Sequence, residues 1–176
     1  MDAVDVACVS VRPLSRLRGV RDDKWFGRPQ KLSDATSMKA HLTRRYRFSA
    51  SHRLHSEQMS DEENRSIYGK CNNPHGHGHN YVLAVTVSGQ VDENGMVCNL
   101  VDLDDCVHRE IVTRFDLENL NTRPEFADAV PTTENLCTVI FDLLNQDILK
   151  RKFTQAHLEK VRLEETMMNS FEVTSS

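Results

Sequence analysis

Three histidines at alternate positions constrain this chain more than any other feature. They lie in the run Cys71-Asn-Asn-Pro-His75-Gly-His77-Gly-His79-Asn-Tyr81. In an extended segment, side chains two residues apart share a face, so His77 and His79 present two imidazoles to one point, and Gly76 and Gly78 keep the backbone uncrowded. A third histidine on the neighbouring strand would complete a three-nitrogen set for zinc and leave the fourth position open to water or substrate. His52, in Ser49-Ala-Ser-His52-Arg-Leu54, is the candidate. His75 shares the alternation but follows Pro74 and precedes the strand, which makes it the weaker ligand. His41, His55, His108 and His157 read as ordinary surface or hydrogen-bonding histidines. Cys71 has three open readings: a zinc thiolate, a base or nucleophile activated by a nearby cation, or an inert buried thiol.

Strand and helix signals surround this run. Leu42, Tyr46, Phe48 and Ala50 alternate with polar residues, with one irregular inward position at Arg44, and predict a half-buried strand from about His41. Ser60-Asp-Glu-Glu63 has the capping-box form and predicts a short helix to Tyr68, ended by Gly69. Asn80–Val91 reads as a second strand, and Asp92-Glu-Asn-Gly95 as a hairpin turn into a third over Met96–Leu100. Val101, Leu103, Cys106, Val107, Ile111, Val112 and Phe115 recur at helical spacing. A second helix starts at Thr132 or Thr133, with Thr133 as cap, and Leu158–Thr166 reads as the last strand. The expected fold class is α+β, an antiparallel four-stranded sheet with two helices on one face.

The first 38 residues carry seven basic residues against five aspartates and show neither periodicity. They read as a disordered extension before a domain over 39–176, with Trp25-Phe26 as a local contact or partner anchor and Met38 as an alternative start. A net charge of −4 over 176 residues gives no reason to expect nucleic acid. No apolar run reaches membrane-spanning length and no secretory signal opens the chain, so the expected compartment is the cytoplasm. Five cysteines, without a Cys-x-x-Cys pair, argue against a disulfide framework.

Phe48-Ser-Ala-Ser-His52-Arg-Leu, Gly69-Lys-Cys71-Asn-Asn-Pro-His-Gly-His77-Gly-His79-Asn-Tyr81, Thr132-Thr-Glu134-Asn and Val161-Arg-Leu-Glu-Glu165-Thr together resemble the 6-pyruvoyl tetrahydropterin synthase family over about residues 41–173. The related 6-carboxytetrahydropterin synthases of queuosine biosynthesis share the histidines with a differently spaced cysteine segment. The resemblance implies a tunnelling fold whose sheets close an oligomeric barrel, a homohexamer of two trimers with sites between subunits. It implies Zn²⁺ on His52, His77 and His79, and 7,8-dihydroneopterin triphosphate as substrate, losing triphosphate to give 6-pyruvoyl tetrahydropterin. It also implies Cys71 as the proton-abstracting base, Glu165 as the carboxylate that anchors the pterin, and Thr132, Thr133 and Glu134 as the segment completing the pterin pocket. The family's aspartate–histidine relay is matched by Asp116 but departs at Leu117, which cannot transfer a proton, so a weakened enzyme or a pterin-binding homologue is the competing expectation. Whether Arg53 or Lys70 meets the triphosphate stays open.

Overall fold

The computed structural model describes residues 39–150, 153 and 155–175; the expected extension over 1–38, with Trp25 and Phe26, lies outside the described residues. Two 14-residue strands form the frame. β1 (Lys39–His52) and β2 (His77–Gln90) pair antiparallel in unbroken register from Lys39↔Gln90 to His52↔His77. Alternate residues of each face the helices: Tyr46, Phe48 and Ala50 on β1, and Tyr81, Leu83, Val85 and Val87 on β2, all buried. β4 (Ala156–Glu164) pairs antiparallel with β2, and β5 (Ser170–Thr174) with β4. The two-residue β3 (Glu118–Asn119) runs parallel to β1 at Ala50 and Ser51. The sheet order is β3-β1-β2-β4-β5.

Between β1 and β2, α1 (Asp61–Tyr68) begins with the expected capping box, Glu63 N–H on Ser60 Oγ and Ser60 N–H on the Glu63 carboxylate, and Gly69 ends it at φ 52°. After β2, α2 (Leu100–Val107) continues through a π-helical turn over His108–Val112 into α3 (Thr113–Phe115). The wider turn absorbs one residue of drift, which leaves Leu103, Val107, Ile111 and Phe115 all buried. α4 (Thr133–Lys150) adds Leu136, Ile140 and Leu144 to the same core. Each fully buried aliphatic side chain contributes about 1.5–3 kcal/mol relative to exposure. Arg44, the irregular inward residue, is held by a bidentate pair between its guanidinium and Asp104 of α2, at 3.0 and 2.7 Å.

Three sequence expectations fail locally. No strand follows the Asp92–Gly95 turn, because Asp92 Oδ1 accepts the amides of Asn94 and Met96 and its own N–H meets the Met96 carbonyl, closing a compact loop. Asn99 then caps α2 through the amide of Val101. The fourth long strand is instead β5, so the sheet has four long strands plus the short β3 rather than the four predicted. The cap of α4 is Thr132, whose hydroxyl accepts the Asn135 amide at 3.2 Å; the Thr133 hydroxyl is turned elsewhere.

Candidate metal centre

The β1–β2 register places His52 directly across from His77, with Ala50 across from His79. All three histidines project from the helix-facing side at one end of the sheet, and one nitrogen from each lies within 4.8 Å of the others. Gly76 makes the approach possible, since its φ is +68° and an added Cβ would stand 2.9 Å from the His52 carbonyl oxygen. Gly78 is less restricted, with its nearest neighbour at 3.4 Å. His52 is 1% exposed. Its Nδ1 lies 2.8 Å from the Pro131 carbonyl oxygen, which can only accept, so Nδ1 carries the proton and Nε2 presents a lone pair to the cluster. That Nε2 sits 3.2 Å from His77 Nε2.

His77 Nδ1 and His79 Nε2 are buried and lack a hydrogen-bond partner. Burial lowers the pKa of both His52 and His79, favouring the neutral imidazoles that bind metals. Buried polar atoms are almost always satisfied, so two unpartnered ring nitrogens in a cluster of three imidazoles fit a cation held by nitrogen donors. The Pro131 carbonyl supplies the outer hydrogen bond that fixes a ligand imidazole's tautomer.

Glu165 lies one residue past β4, on the same face, with Oε1 3.5 Å from His79 Nε2 and 3.8 Å from His52 Nε2. Thr133 donates its hydroxyl to the same oxygen at 2.6 Å, a charge-assisted bond worth about 1.5–3 kcal/mol. The structure therefore gathers His52, His77, His79, Thr133 and Glu165. Thr132 adjoins them as the cap of α4, whereas Glu134 is exposed on its first turn. Cys71 is half-buried in the 3₁₀ turn over Gly69–Asn72, and its carbonyl accepts the Leu54 amide. Asp116 is on the other side of β1, its Oδ1 accepting the Ser49 amide at 2.8 Å. Leu117 follows at φ 60° and 84% exposed, with its N–H on the Ser49 carbonyl.

Two supporting residues escaped sequence reasoning. Asn72 is buried and its Nδ2 donates to the Leu54 carbonyl at 2.7 Å, which ties the Cys71 turn to the loop after His52. Its place inside the Cys-Asn-Asn-Pro motif was the available signal. Tyr81 is fully buried, stacks on Phe48 at 5.1 Å between centroids, and has no partner for its hydroxyl; burial, chiefly, and the nearby Glu165 raise its pKa.

An α+β layer with a three-histidine cluster and a half-buried carboxylate at one sheet end defines a candidate metal site. Residues 41–176 match the family model described as 6-pyruvoyl tetrahydropterin synthase, and the chain belongs to that family. It is 55% identical over 104 residues to 6-pyruvoyl tetrahydrobiopterin synthase from Poecilia reticulata, covering 58% of this chain and 71% of that one. The Drosophila melanogaster enzyme of the same name is 46% identical over 132 residues, covering 74% and 76%. The solved structure of 6-pyruvoyl tetrahydropterin synthase from Caenorhabditis elegans superposes with a TM-score of 0.72 at 39% identity, covering 80% of this chain and 98% of that one. The fold is the tunnelling fold of these proteins.

Proposed function

We propose that this chain is a zinc-dependent carbon–oxygen lyase that converts 7,8-dihydroneopterin triphosphate to 6-pyruvoyl tetrahydropterin and triphosphate. The observation carrying this reading is the convergence of His52, His77 and His79 beside Glu165. The three histidines would hold the zinc, which when bound polarises the hydroxyls of the substrate side chain and acidifies the protons on their carbons. Glu165 accepts the paired N–H groups on the guanidine-like edge of the pterin, and Thr133 holds that carboxylate in place. Thr132 and Glu134 complete the pocket wall. Cys71 takes a carbon-bound proton from the side chain. The carbon–oxygen bond to triphosphate breaks with its electron pair leaving on the phosphate, and the side-chain carbons become carbonyls while the ring gains the hydrogens, so no outside oxidant enters.

Residues 39–176 form the catalytic unit, working as a cytoplasmic homohexamer. The sheet's outer strands, which offer unpaired edges, support assembly, and free thiols at Cys71, Cys98, Cys106 and Cys137 support a reducing compartment. No helix among the described residues is long and apolar enough to cross a membrane. Leu117 favours a second reading, a slow enzyme or a pterin-binding protein, since Asp116 has no imidazole beside it to carry a proton. Incubating the zinc-loaded protein with 7,8-dihydroneopterin triphosphate beside Cys71→Ala tests both. A Cys71-dependent 6-pyruvoyl product, read by mass spectrometry, supports the leading reading. A 6-carboxy product with acetaldehyde moves the chain to the queuosine branch, and tight pterin binding without turnover supports the second.

A further inference from the structure

His75 and His55 stand outside the three-histidine cluster, yet the fold brings both to one place. With Arg53 they line a hollow of about 300 Å³ that His52, Asn119 and Asn121 also line. That volume is at the lower end of the range for ligand sites, roughly 300–1,000 Å³. Its donors are held in place. The Arg53 backbone is clamped at both groups by Asn121, with Arg53 N–H on Oδ1 at 2.7 Å and Nδ2 on the Arg53 carbonyl at 2.8 Å. The guanidinium Nε donates to the Asn72 carbonyl, and among the described residues no carboxylate pairs with Arg53. A permanently charged planar group left without a counter-ion, on a rigid mount, suits an incoming phosphate.

Hydrogen bonding also fixes the tautomer of His55. Its Nδ1 faces two donors, Asn72 Nδ2 at 3.0 Å and Arg53 Nη2 at 3.2 Å, and the Asn72 amide is oriented by its bond to the Leu54 carbonyl. Nδ1 is therefore the acceptor and Nε2 the donor. Its facing acceptor is Glu57, 3.7 Å away on a side chain 95% exposed. Glu57 is the one acid on this hollow, and it is free to swing into solvent. His75, exposed and lining the same hollow, adds a further ring N–H.

We propose that Arg53, His55 and His75 form the anion subsite that seats the triphosphate leaving group of the substrate, next to the metal centre. The inference rests on the lyase reading for the identity of the anion. Asn72 thereby acquires a role of its own, since one amide sets the loop, the His55 tautomer and the direction of its proton.

Calorimetric titration of the zinc-loaded protein with inorganic triphosphate, and separately with unphosphorylated 7,8-dihydroneopterin, tests it. Parent protein should bind inorganic triphosphate, Arg53→Gln should weaken that binding at least about 10-fold, and the exposed His75→Asn should weaken it several-fold. Glu57→Gln should tighten it, which a purely structural role for these residues would not produce. Dihydroneopterin affinity and zinc content should stay unchanged in all three variants. Parental triphosphate binding in both Arg53→Gln and His75→Asn, or no binding to the parent at millimolar triphosphate, overturns the subsite. Failure of dihydroneopterin to bind, with triphosphate binding intact and Arg53-dependent, would overturn the pterin reading and leave the anion site standing.

Discussion

The same pair of strands ends in two polar clusters that behave oppositely. Toward Lys39, Ser88 is fully buried on the helix-free face, donates to Glu159 Oε2 at 2.7 Å and lies 2.9 Å from His157 Nε2. Glu159 also receives Lys39 Nζ at 3.0 Å, and its carbonyl takes the Ser175 amide. A bulge opposite Thr86 and Val87 brings Glu159 onto that face. Every polar group named there has a partner. Toward the other end, about 23–36 Å from Ser88 along β2 at roughly 3.3 Å per residue, the Tyr81 hydroxyl, His79 Nε2 and His77 Nδ1 are left without one. The first cluster is closed within the sheet, whereas the second keeps its unpartnered groups in place through the fold around them. Unsatisfied buried groups concentrated at one end of an otherwise satisfied sheet locate function by a physical criterion.

The largest effect should come from removing one of the converging nitrogens. His77→Ala should reduce retained zinc, measured by elemental analysis after dialysis, to under about a tenth per chain and abolish turnover. Its thermal stability without metal should stay within about 1 kcal/mol of the parent, because the ring is only half-buried, its Nδ1 has no hydrogen bond, and its Nε2 contact at 3.2 Å is to another histidine of the cluster. A next, opposite effect should come from Leu117→His, which restores a proton-carrying ring after Asp116 and should raise kcat roughly 10²-fold in steady-state assays. An unchanged kcat would separate Leu117 from the chemistry.

Smaller still, Glu165→Gln should weaken dihydroneopterin binding by about 10- to 100-fold in fluorescence titration while leaving zinc content intact, since one charged acceptor is lost and no ligand nitrogen is. The smallest effect belongs to the satisfied end. Ser88 and then Lys39 hold the Glu159 carboxyl down at about 2, below its ordinary 4.5. The folded-state pKa is depressed, so this contribution is present above about 4.5 and fades as pH falls toward 2. Glu159→Gln should therefore flatten the acid limb of a stability profile in that window and leave zinc and turnover at neutral pH untouched. A loss of zinc in this variant would mean that the two ends are not independent.

Much of this architecture was legible where a residue acts locally. The alternation of His77, His79 and Tyr81, the capping box at Ser60, and the helical stripe from Leu103 to Phe115 each encode a neighbour-scale geometry that the structure follows, while Val101 at the head of the stripe is exposed. The failures share a cause. Asp92 has the composition of a hairpin turn, yet its side chain captures two amides and ends the strand. Thr133 is a cap-type residue, yet its hydroxyl donates instead to Glu165, 32 residues away. Phe171 and Val173 of β5 alternate over only five residues, too short a signal to read before β4 is in place. Pro131 and Asn72 act through a carbonyl and an amide whose partners are set by tertiary packing, and no motif reports that a backbone oxygen will orient a histidine.

The unsatisfied end of the sheet is proposed to be a zinc site. Zinc-edge X-ray absorption on the purified full chain, with His77→Ala and Glu159→Gln in parallel, measures this most directly. The prediction is one zinc per chain with three imidazole nitrogens at about 2.0–2.1 Å, absent from His77→Ala and unchanged in Glu159→Gln. A parent protein without bound zinc, or zinc held by sulfur or by ligands that survive His77→Ala, would contradict it.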